Sequence, residues 1–137
     1  MDVIAGMRGE TETFFQDSLE FISRLNVSQL HVFPYSERSG TKALEIPLSV
    51  SPQEKHNRVN ALLGISDQKL QTFYHSFKGD IRPVLFEESE IAGSICGFTD
   101  NYIRVELPYD HSLANRIIQV KLGELNNNQN LKGEIIN

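Results

Sequence analysis

The stretch Asp2-Val3-Ile4-Ala5-Gly6-Met7-Arg8-Gly9-Glu10-Thr11-Glu12 decides how the first part of the chain folds. Residues 3–5 form a short, wholly apolar run, which is typical of a strand in a parallel sheet that is covered on both faces. Gly6 and Gly9 bracket a turn, and Glu10 lies where a carboxylate stabilises the start of a helix. The stretch therefore predicts a strand that turns directly into a helix.

The following segment keeps a helical period and leads to a second apolar run. Phe15, Leu19 and Ile22 fall at i, i+4 and i+7, which predicts a helix over residues 11–25. The run 30–33 predicts the next strand. Strand, helix and strand form one βαβ unit with parallel strands and a right-handed crossover. Since two strands and one helix cannot cover a sheet, the missing strands come from elsewhere in a parent protein or from a second copy.

A loop rich in Pro, Gly and Ser covers residues 34–50, and a clear helix start follows it. Ser51 suits the cap, Pro52 the first helical position and Glu54 the third residue of a capping box. Gly79 is a natural stop. We predict a helix over 52–78, about 40 Å long at ~1.5 Å per residue, which would join two modules.

After Gly79 the apolar period changes from helical to two, which is typical of strands with one buried and one wet face. Asp100 and Asn101 suit a hairpin turn, and the Asn run 126–128 suits a loop tip. The candidate strands are Ile81–Phe86, Ile91–Phe98, Tyr102–Leu107, Ile117–Leu122 and Leu131–Ile136. Five short strands predict a small, closed or nearly closed barrel. The fold class is thus α/β plus all-β.

Composition describes an ordinary protein of one domain or a domain with an appendage. The 137 residues are 39% hydrophobic and 23% charged, and no apolar run approaches the ~20 residues of a membrane span. We therefore expect no membrane partner and a cytoplasmic location. The net charge is −5, of which −4 falls on residues 79–137, with 5 basic and 9 acidic side chains. That acidity argues against strong non-specific nucleic-acid binding.

No pattern of catalytic or metal-binding residues emerges. The single cysteine, Cys96, excludes an internal disulfide and is expected to be a small buried hydrophobe. His31 alternates with apolar neighbours, which favours a buried histidine hydrogen-bonded to backbone over a ligand. The other histidines have no metal-site spacing. We therefore predict neither a catalytic residue nor a metal ligand in this chain.

Three motifs, in this order, resemble the C-terminal part of the radical S-adenosylmethionine tRNA methylthiotransferases. The first is the opening strand with Gly9-Glu10-Thr11, and the second is Tyr35-Ser36-Glu37-Arg38-Ser39-Gly40-Thr41. The third, Gly93 to Val105, resembles the TRAM domain of that family, which implies a five-stranded antiparallel barrel of the OB-like kind. The run Leu30-His31-Val32-Phe33 is most similar to the threonylcarbamoyladenosine subfamily. The isopentenyladenosine subfamily is the runner-up and enzymes acting on a ribosomal-protein aspartate are third.

The chain departs from the family in two places. Met7-Arg8 stands where many relatives have Phe-Pro, and Ser39 stands where Pro is usual. Because proline fixes φ, Ser39 is expected to loosen its loop.

The resemblance implies a domain plan and a parent reaction. Residues 1–46 would be the C-terminal part of a radical SAM barrel, 47–78 a linker and long helix, and 79–137 a TRAM domain. The parent would use S-adenosylmethionine and 4Fe-4S clusters to insert sulfur at C2 of a hypermodified adenosine beside the tRNA anticodon. One cysteine cannot ligate a four-iron cluster, so the cluster ligands are absent and the fragment alone is expected to be inactive.

The resemblance also implies residue roles. One wall of the S-adenosylmethionine site would come from strand residues, namely Ile4, Ala5, Gly6, Val32 and Phe33. Contacts to the substrate or RNA would come from two loops and the barrel, namely Tyr35, Ser36, Arg38, Thr41, Arg82, Asn101, Tyr102, Arg104 and Lys121. Each of these roles has a simpler interpretation. The glycines would only form the turn, Arg38 would be solvated, the aromatic residues would belong to the core, and the barrel cations would be scattered surface charges.

Two further interpretations stay open. One is a free-standing RNA-binding module without an enzymatic parent, and the other is a scaffold whose edge strands bind a protein partner. In the favoured interpretation the partner is tRNA. Because the barrel unit is incomplete, we also predict self-association through strands in residues 1–46.

Overall fold

A computed structural model describes residues 1–136, with the backbone alone described at 89–91. The chain divides into two compact units, Met1–Leu70 and Gln71–Asn137. The elements before the barrel are β1 (Asp2–Ala5), α1 (Glu12–Arg24), β2 (His31–Pro34), a 3₁₀ turn (Lys42–Glu45) and α2 (Pro52–Ser76).

The first unit is a parallel strand pair packed against helices. β1 and β2 pair from Asp2 opposite His31 to Ala5 opposite Pro34, as the βαβ pattern predicts. One face of this two-stranded sheet is buried in a core with both helices. The buried members of that core are Ala5, Phe15, Ile22, Leu30 and Leu62, against which Val3, Leu19, Val27, Val32, Val59 and Ile65 pack.

Both predicted helices are confirmed. Thr11 caps α1 by accepting the Phe14 N–H at 3.2 Å, and a Ser51–Glu54 capping box begins α2. α2 ends two residues before the predicted position, and Gly79 takes a φ of +92° beyond it. Ser66 is a polar residue on the apolar stripe of α2. Its buried hydroxyl accepts the Leu30 N–H at 2.9 Å and donates to the Leu30 C=O at 3.1 Å.

The second unit contains a closed five-stranded barrel, which confirms the predicted closure. Its strands are β3 (Ile81–Ile91), β4 (Ser94–Thr99), β5 (Arg104–Pro108), β6 (Ile117–Leu125) and β7 (Leu131–Ile135), in the ring order β3-β4-β5-β7-β6. The interior is filled by fully buried side chains that alternate along the strands. They include Val84, Phe86, Ile95, Ile103, Val105, Val120, Leu122 and Leu131.

The prediction of an antiparallel barrel is wrong at one pairing, because β5 and β7 are parallel, with Val105 opposite Leu131. Strand directions must alternate around a fully antiparallel ring, and an odd number of strands cannot alternate completely. A closed ring of five strands therefore requires at least one parallel pair. β7 supplies it by lying between β5 and β6.

Strand bounds also differ from the prediction around the first hairpin. β3 continues through the acidic run to Ile91, and β4 begins only at Ser94. Ala92 and Gly93 both have positive φ, 51° and 78°, which matches a two-residue hairpin turn with the twist of its strands. The period-two pattern could not show this turn because Ala92 is not a typical turn residue.

His31 is not buried, contrary to the prediction. Its side chain is 61% exposed, and its Nδ1 lies 3.2 Å from a carboxylate oxygen of Asp2. Alternation along β2 places Val32 towards the core and His31 on the other face. Cys96 is buried, as predicted.

Candidate functional site

An open groove of about 390 Å³ lies in the first unit, where the strands of the parallel pair end. Its lining residues are Ile4, Phe33, Pro34, Tyr35, Ser36, Arg38, Thr41 and Ala43. The groove thus brings together two of the five predicted cofactor residues and all four predicted substrate residues of the loop after β2. The carboxyl ends of parallel strands are where ligand-binding loops usually lie in α/β folds.

The two faces of the strand pair divide the predicted cofactor residues. Ile4 and Phe33 are 56% and 53% exposed and give the groove its apolar side. Ala5 and Val32 face the core instead, so only their backbone is available to a ligand on the groove side. Gly6 is buried at the turn after β1, with a φ of +80°.

The loop after β2 supplies the polar side of the groove. Ser36, Arg38 and Thr41 are exposed, and the Thr41 hydroxyl donates to the Arg38 carbonyl at 2.8 Å. Among the described residues the Arg38 guanidinium has no ion-pair partner, so it is free to bind an anionic group.

Arg8, at one of the departures from the family pattern, ties the loop after β1 to the loop after β2. Its Nε donates to Glu37 at 2.7 Å, and its Nη1 donates to the Ile46 carbonyl at 2.8 Å. The side chain that replaces the usual proline therefore fixes the loop that Ser39 was expected to loosen.

Two cations of α2 that are not among the predicted site residues also hold this site. Lys55 contacts Tyr35, and Arg58 bonds Glu10 in the turn after β1. Arg58 is buried, and it also lies 5.2 Å from the ring centroid of Phe15. A signal existed, since Lys55 and Arg58 fall at helical spacing from the core residue Leu62 and so lie on the stripe that faces the core.

The second unit carries a separate set of predicted residues around the turn between β4 and β5. Tyr102 is 81% exposed at a φ of +65°. The turn beneath it is fixed by Thr99, whose hydroxyl donates to Asn101 Oδ1 at 2.6 Å and accepts the Ile103 N–H at 2.9 Å. The ring of Tyr102 is therefore presented to solvent by a well-anchored turn.

Arg104 lies at one end of a row of side chains across the outer barrel face. Register places Ile117 opposite Leu85, Leu85 opposite Phe98, and Phe98 opposite Arg104. The three apolar members are 67%, 52% and 37% exposed. The Arg104 guanidinium lies 5.8 Å from the Phe98 ring centroid, and the backbone N–H of Arg104 donates to Tyr74 Oη at 3.0 Å. An apolar strip that ends in a cation can take a planar ring against Phe98.

The two remaining predicted cations, Arg82 and Lys121, differ in whether their charge is available to bind a phosphate. Arg82 pairs with Asp80 and Asp100, at 3.6 and 3.1 Å, and lies 4.6 Å from the Phe77 ring centroid. Its charge is largely neutralised within the barrel unit, which favours a structural role. Lys121 is exposed on β6, opposite Ile81, so its ammonium group is accessible to a phosphate.

Glu106 is the centre of a polar network at the parallel β5–β7 pairing. Its carboxylate accepts from Asn130 at 2.7 Å, from Asn128 at 3.1 Å and from Ser94 at 3.0 Å. Hydrogen bonds from Asn130, Asn126 and Asn128 lower the pKa of Glu106 to about 2. The network ties the Asn-rich loop to the strand beside it.

The described residues do not fit an iron–sulfur cluster. Among them no group of three or more His, Cys, Asp or Glu side chains is placed to hold a metal ion. Burial raises the pKa of the Cys96 thiol, which disfavours the thiolate that ligates iron. No helix in the described part of the chain is long and apolar enough to cross a membrane.

A strand–helix–strand unit with an apolar groove, joined in sequence to a closed five-stranded barrel, defines an α/β plus β-barrel protein. No family model matches the chain. It is 34% identical to the threonylcarbamoyladenosine tRNA methylthiotransferase of Bacillus subtilis (strain 168) over 125 residues, which cover 88% of this chain and 28% of the relative. The enzyme of the same name from Aquifex aeolicus (strain VF5) is 36% identical over 77% of this chain and 24% of the relative.

A relative of a second type matches the chain nearly from end to end. The tRNA-2-methylthio-N(6)-dimethylallyladenosine synthase of Aliarcobacter butzleri (strain RM4018) is 30% identical over 99% of this chain and 31% of the relative. The chain is therefore homologous to a segment of the tRNA methylthiotransferases, which confirms the family resemblance. It spans less than a third of the length of these curated relatives.

Proposed function

We propose that this chain is the C-terminal part of a tRNA-modifying methylthiotransferase, whose complete form adds a methylthio group to C2 of a hypermodified adenosine next to the anticodon. The observation that carries the proposal is the groove at the ends of β1 and β2. It collects residues of two separate family motifs, Ile4 from the first and the loop from Tyr35 to Thr41 from the second. Homology over most of the chain supports the same conclusion.

In this proposal residues 1–46 contribute one wall of an S-adenosylmethionine site. Ile4 and Phe33 offer exposed apolar surface, while Gly6 and the backbone of Ala5 and Val32 lie along the same strand pair. S-adenosylmethionine supplies the radical chemistry, and the protein positions it and excludes water. Tyr35, Ser36, Arg38 and Thr41 face the substrate end. The clusters require thiolates from outside this chain, so the chain alone has no turnover.

The barrel over 79–137 would be the tRNA-binding TRAM domain, with residues 47–78 as linker and helix. Tyr102 and the Phe98–Arg104 pair suit stacking on unpaired bases. Asn101 and Lys121 extend this surface, whereas Arg82 supports the turn through Asp100. Because the barrel half is acidic, binding would depend on these local groups rather than on net charge. A cytoplasmic location follows from a tRNA substrate.

Binding of unmodified tRNA by the purified chain tests the proposal. We expect binding at about 50 mM salt that weakens at about 200 mM, because phosphate contacts release counterions. Lys121→Ala should weaken binding and lower the salt slope by about 1. Arg104→Ala should weaken binding, and Arg24→Ala is the control because it removes one exposed cation from α1 in the other unit.

The outcomes separate the proposal from its alternatives. Equal losses in the barrel variants and in Arg24→Ala would show that the contacts are non-specific. No binding at low salt would contradict a tRNA role for the barrel and would favour an interaction module that binds a protein through the exposed Leu85–Ile117 strip. Methylthiolation by the chain alone would contradict the fragment interpretation.

A further inference from the structure

The first turns of α2 hold both loops that follow the parallel strands. Arg58, 4% exposed, donates from Nη1 to the carbonyl and the carboxylate of Glu10, at 2.9 and 2.8 Å. The same carboxylate of Glu10 accepts the Gly6 N–H at 3.0 Å. The turn after β1 is thereby fixed by a buried cation, one helical turn along α2 from Lys55.

Lys55 does the same for the loop after β2, and it contacts that loop in two ways. Its Nζ donates to the Tyr35 carbonyl at 3.2 Å and lies 5.3 Å from the centroid of the Tyr35 ring. One ammonium group therefore restrains both the backbone and the ring of a residue that lines the groove. Cation–π contact strengthens as the cation loses water, and Lys55 is half-buried.

The stem of Lys55 is itself held in place by Gly6. A Cβ atom built on Gly6 would lie 2.4 Å from Lys55 Cγ, far inside van der Waals contact. The absence of a side chain at Gly6 is therefore what admits the lysine stem between the two loops. The cofactor contact at Gly6 that the family resemblance implies stays a prediction.

We propose that Lys55 is a positioning residue of the groove, which holds the Tyr35 ring in the groove lining through the Gly6 turn. A solvated helix lysine would touch neither loop, whereas Lys55 contacts both the backbone and the ring of Tyr35. The proposal rests on the groove being the functional site for S-adenosylmethionine and its substrate. Lys55 would not contact a ligand and would act only through Tyr35.

The test compares Lys55→Met with Lys69→Met by following the ring resonances of the four tyrosines. Methionine keeps the apolar stem against Gly6 and removes the charge and the donor. Lys69 is a matched control because its Nζ also donates to backbone carbonyls of the same unit, those of Ser23 and Leu25, without contacting a tyrosine ring. We expect Tyr35 to shift in Lys55→Met only, and Lys55→Arg to restore its position.

A Tyr35 resonance that does not move in Lys55→Met, or that moves equally in Lys69→Met, would overturn the proposal. Should Lys55→Met fail to fold, nuclear Overhauser contacts between the Lys55 methylenes and the Tyr35 ring in the unmodified chain decide the matter. We expect such contacts, and their absence would overturn the proposal equally.

Titration with S-adenosylmethionine separates this proposal from the proposed function. If S-adenosylmethionine perturbs groove resonances, Lys55→Met should bind it roughly three- to tenfold more weakly, because the Tyr35 ring would then hold its binding position for only about a tenth to a third of the time. If Tyr35 moves in the variant but S-adenosylmethionine perturbs no groove resonance in the unmodified chain, the proposed cofactor wall fails and the positioning role stands.

Discussion

The two sheets of this protein differ in whether every strand is paired on both sides. The barrel closes its strands into a ring, and residues such as Val84, Phe86 and Ile103 are fully buried inside it. The β1–β2 pair has only two strands, and Ile4 and Phe33 remain more than half exposed on one face. A closed ring pairs every strand on both sides, whereas an open pair leaves two edges and one face for something else to cover.

The difference separates a region whose strands are all paired on both sides from a region whose sheet keeps open edges. The barrel pairs each of its strands with two neighbours and buries its inward-facing apolar side chains. The strand pair buries one face through α1 and α2 and leaves the other as a groove. This is the arrangement expected if further strands of a parent barrel complete the sheet, and it agrees with the short coverage of the relatives.

The largest contrast should come from truncating one phenylalanine in each region. Phe86→Ala empties the centre of the barrel, where Phe86 is 0% exposed, and should lower the free energy of unfolding by about 3–5 kcal/mol. Phe33→Ala removes a ring that already faces solvent and should cost less than about 1 kcal/mol. Hydrogen exchange of barrel amides measures the first change and that of β1–β2 amides the second. Similar losses would contradict the contrast.

Two glycine-to-alanine variants should change the free energy of unfolding in opposite directions. A Cβ at Gly97 would lie 2.5 Å from the Leu85 carbonyl oxygen, a backbone atom that cannot move aside. Gly97→Ala should therefore cost about 2–3 kcal/mol. Gly64 lies in α2 with open space around it, so Gly64→Ala should stabilise the chain by about 0.5–1 kcal/mol. Urea unfolding followed by circular dichroism measures both, and a stabilising Gly97→Ala would show that the strands are not closely packed there.

Acid should weaken the barrel through Glu106. The folded-state pKa of about 2 lies below the ordinary value of 4.5, so the carboxylate stabilises the fold above about pH 4.5. This contribution is lost as the pH falls towards 2. We expect a loss of about 1–2 kcal/mol, since Glu106 is partly exposed and solvent screens it.

Glu106→Gln is the control for this pH dependence. The amide cannot titrate, so the variant should be less stable at pH 7 and should lose less stability between pH 5 and pH 2 than the unmodified chain. Urea unfolding across that range measures both proteins. Parallel pH profiles for the two would assign the acid sensitivity to other carboxylates.

The smallest effect concerns self-association, which remains a prediction. If the open strand pair associates with a second copy, replacing Ile4 and Phe33 by serine should weaken association roughly fivefold, because less apolar surface is then buried. Leu85→Ser removes a side chain of similar exposure from the closed barrel and should have no effect. Sedimentation equilibrium measures the dissociation constants, and a monomer at high concentration would contradict the prediction.

Much of the fold was predictable because it depends on neighbours along the chain. The helix over 11–25 and the capping box at Ser51 follow from contacts three or four residues apart, and both are confirmed. The face of a strand on which a given residue lies was harder to predict. At His31 the apolar neighbours suggested burial, yet alternation turned the ring outward to Asp2.

The candidate site was predictable only in part, because its residues come from distant segments. The loop from Tyr35 to Thr41 lines the groove together with Ile4. Lys55 and Arg58 were missed, since their spacing from Leu62 indicates the side of α2 that faces the core but not the loops that they contact. The ion pairs of Arg82 with Asp80 and Asp100 could not be predicted from the sequence, and its contact with RNA stays a prediction.

The sequence by itself determined the helices, the change to a period of two after Gly79 and the number of barrel strands, because these depend on local periodicity and on turn residues. Only the tertiary structure decided the ring order, the parallel β5–β7 pair and the face on which each strand residue lies. Those features depend on contacts between residues far apart in the chain, where many pairings satisfy the same local pattern and closure and burial select one of them.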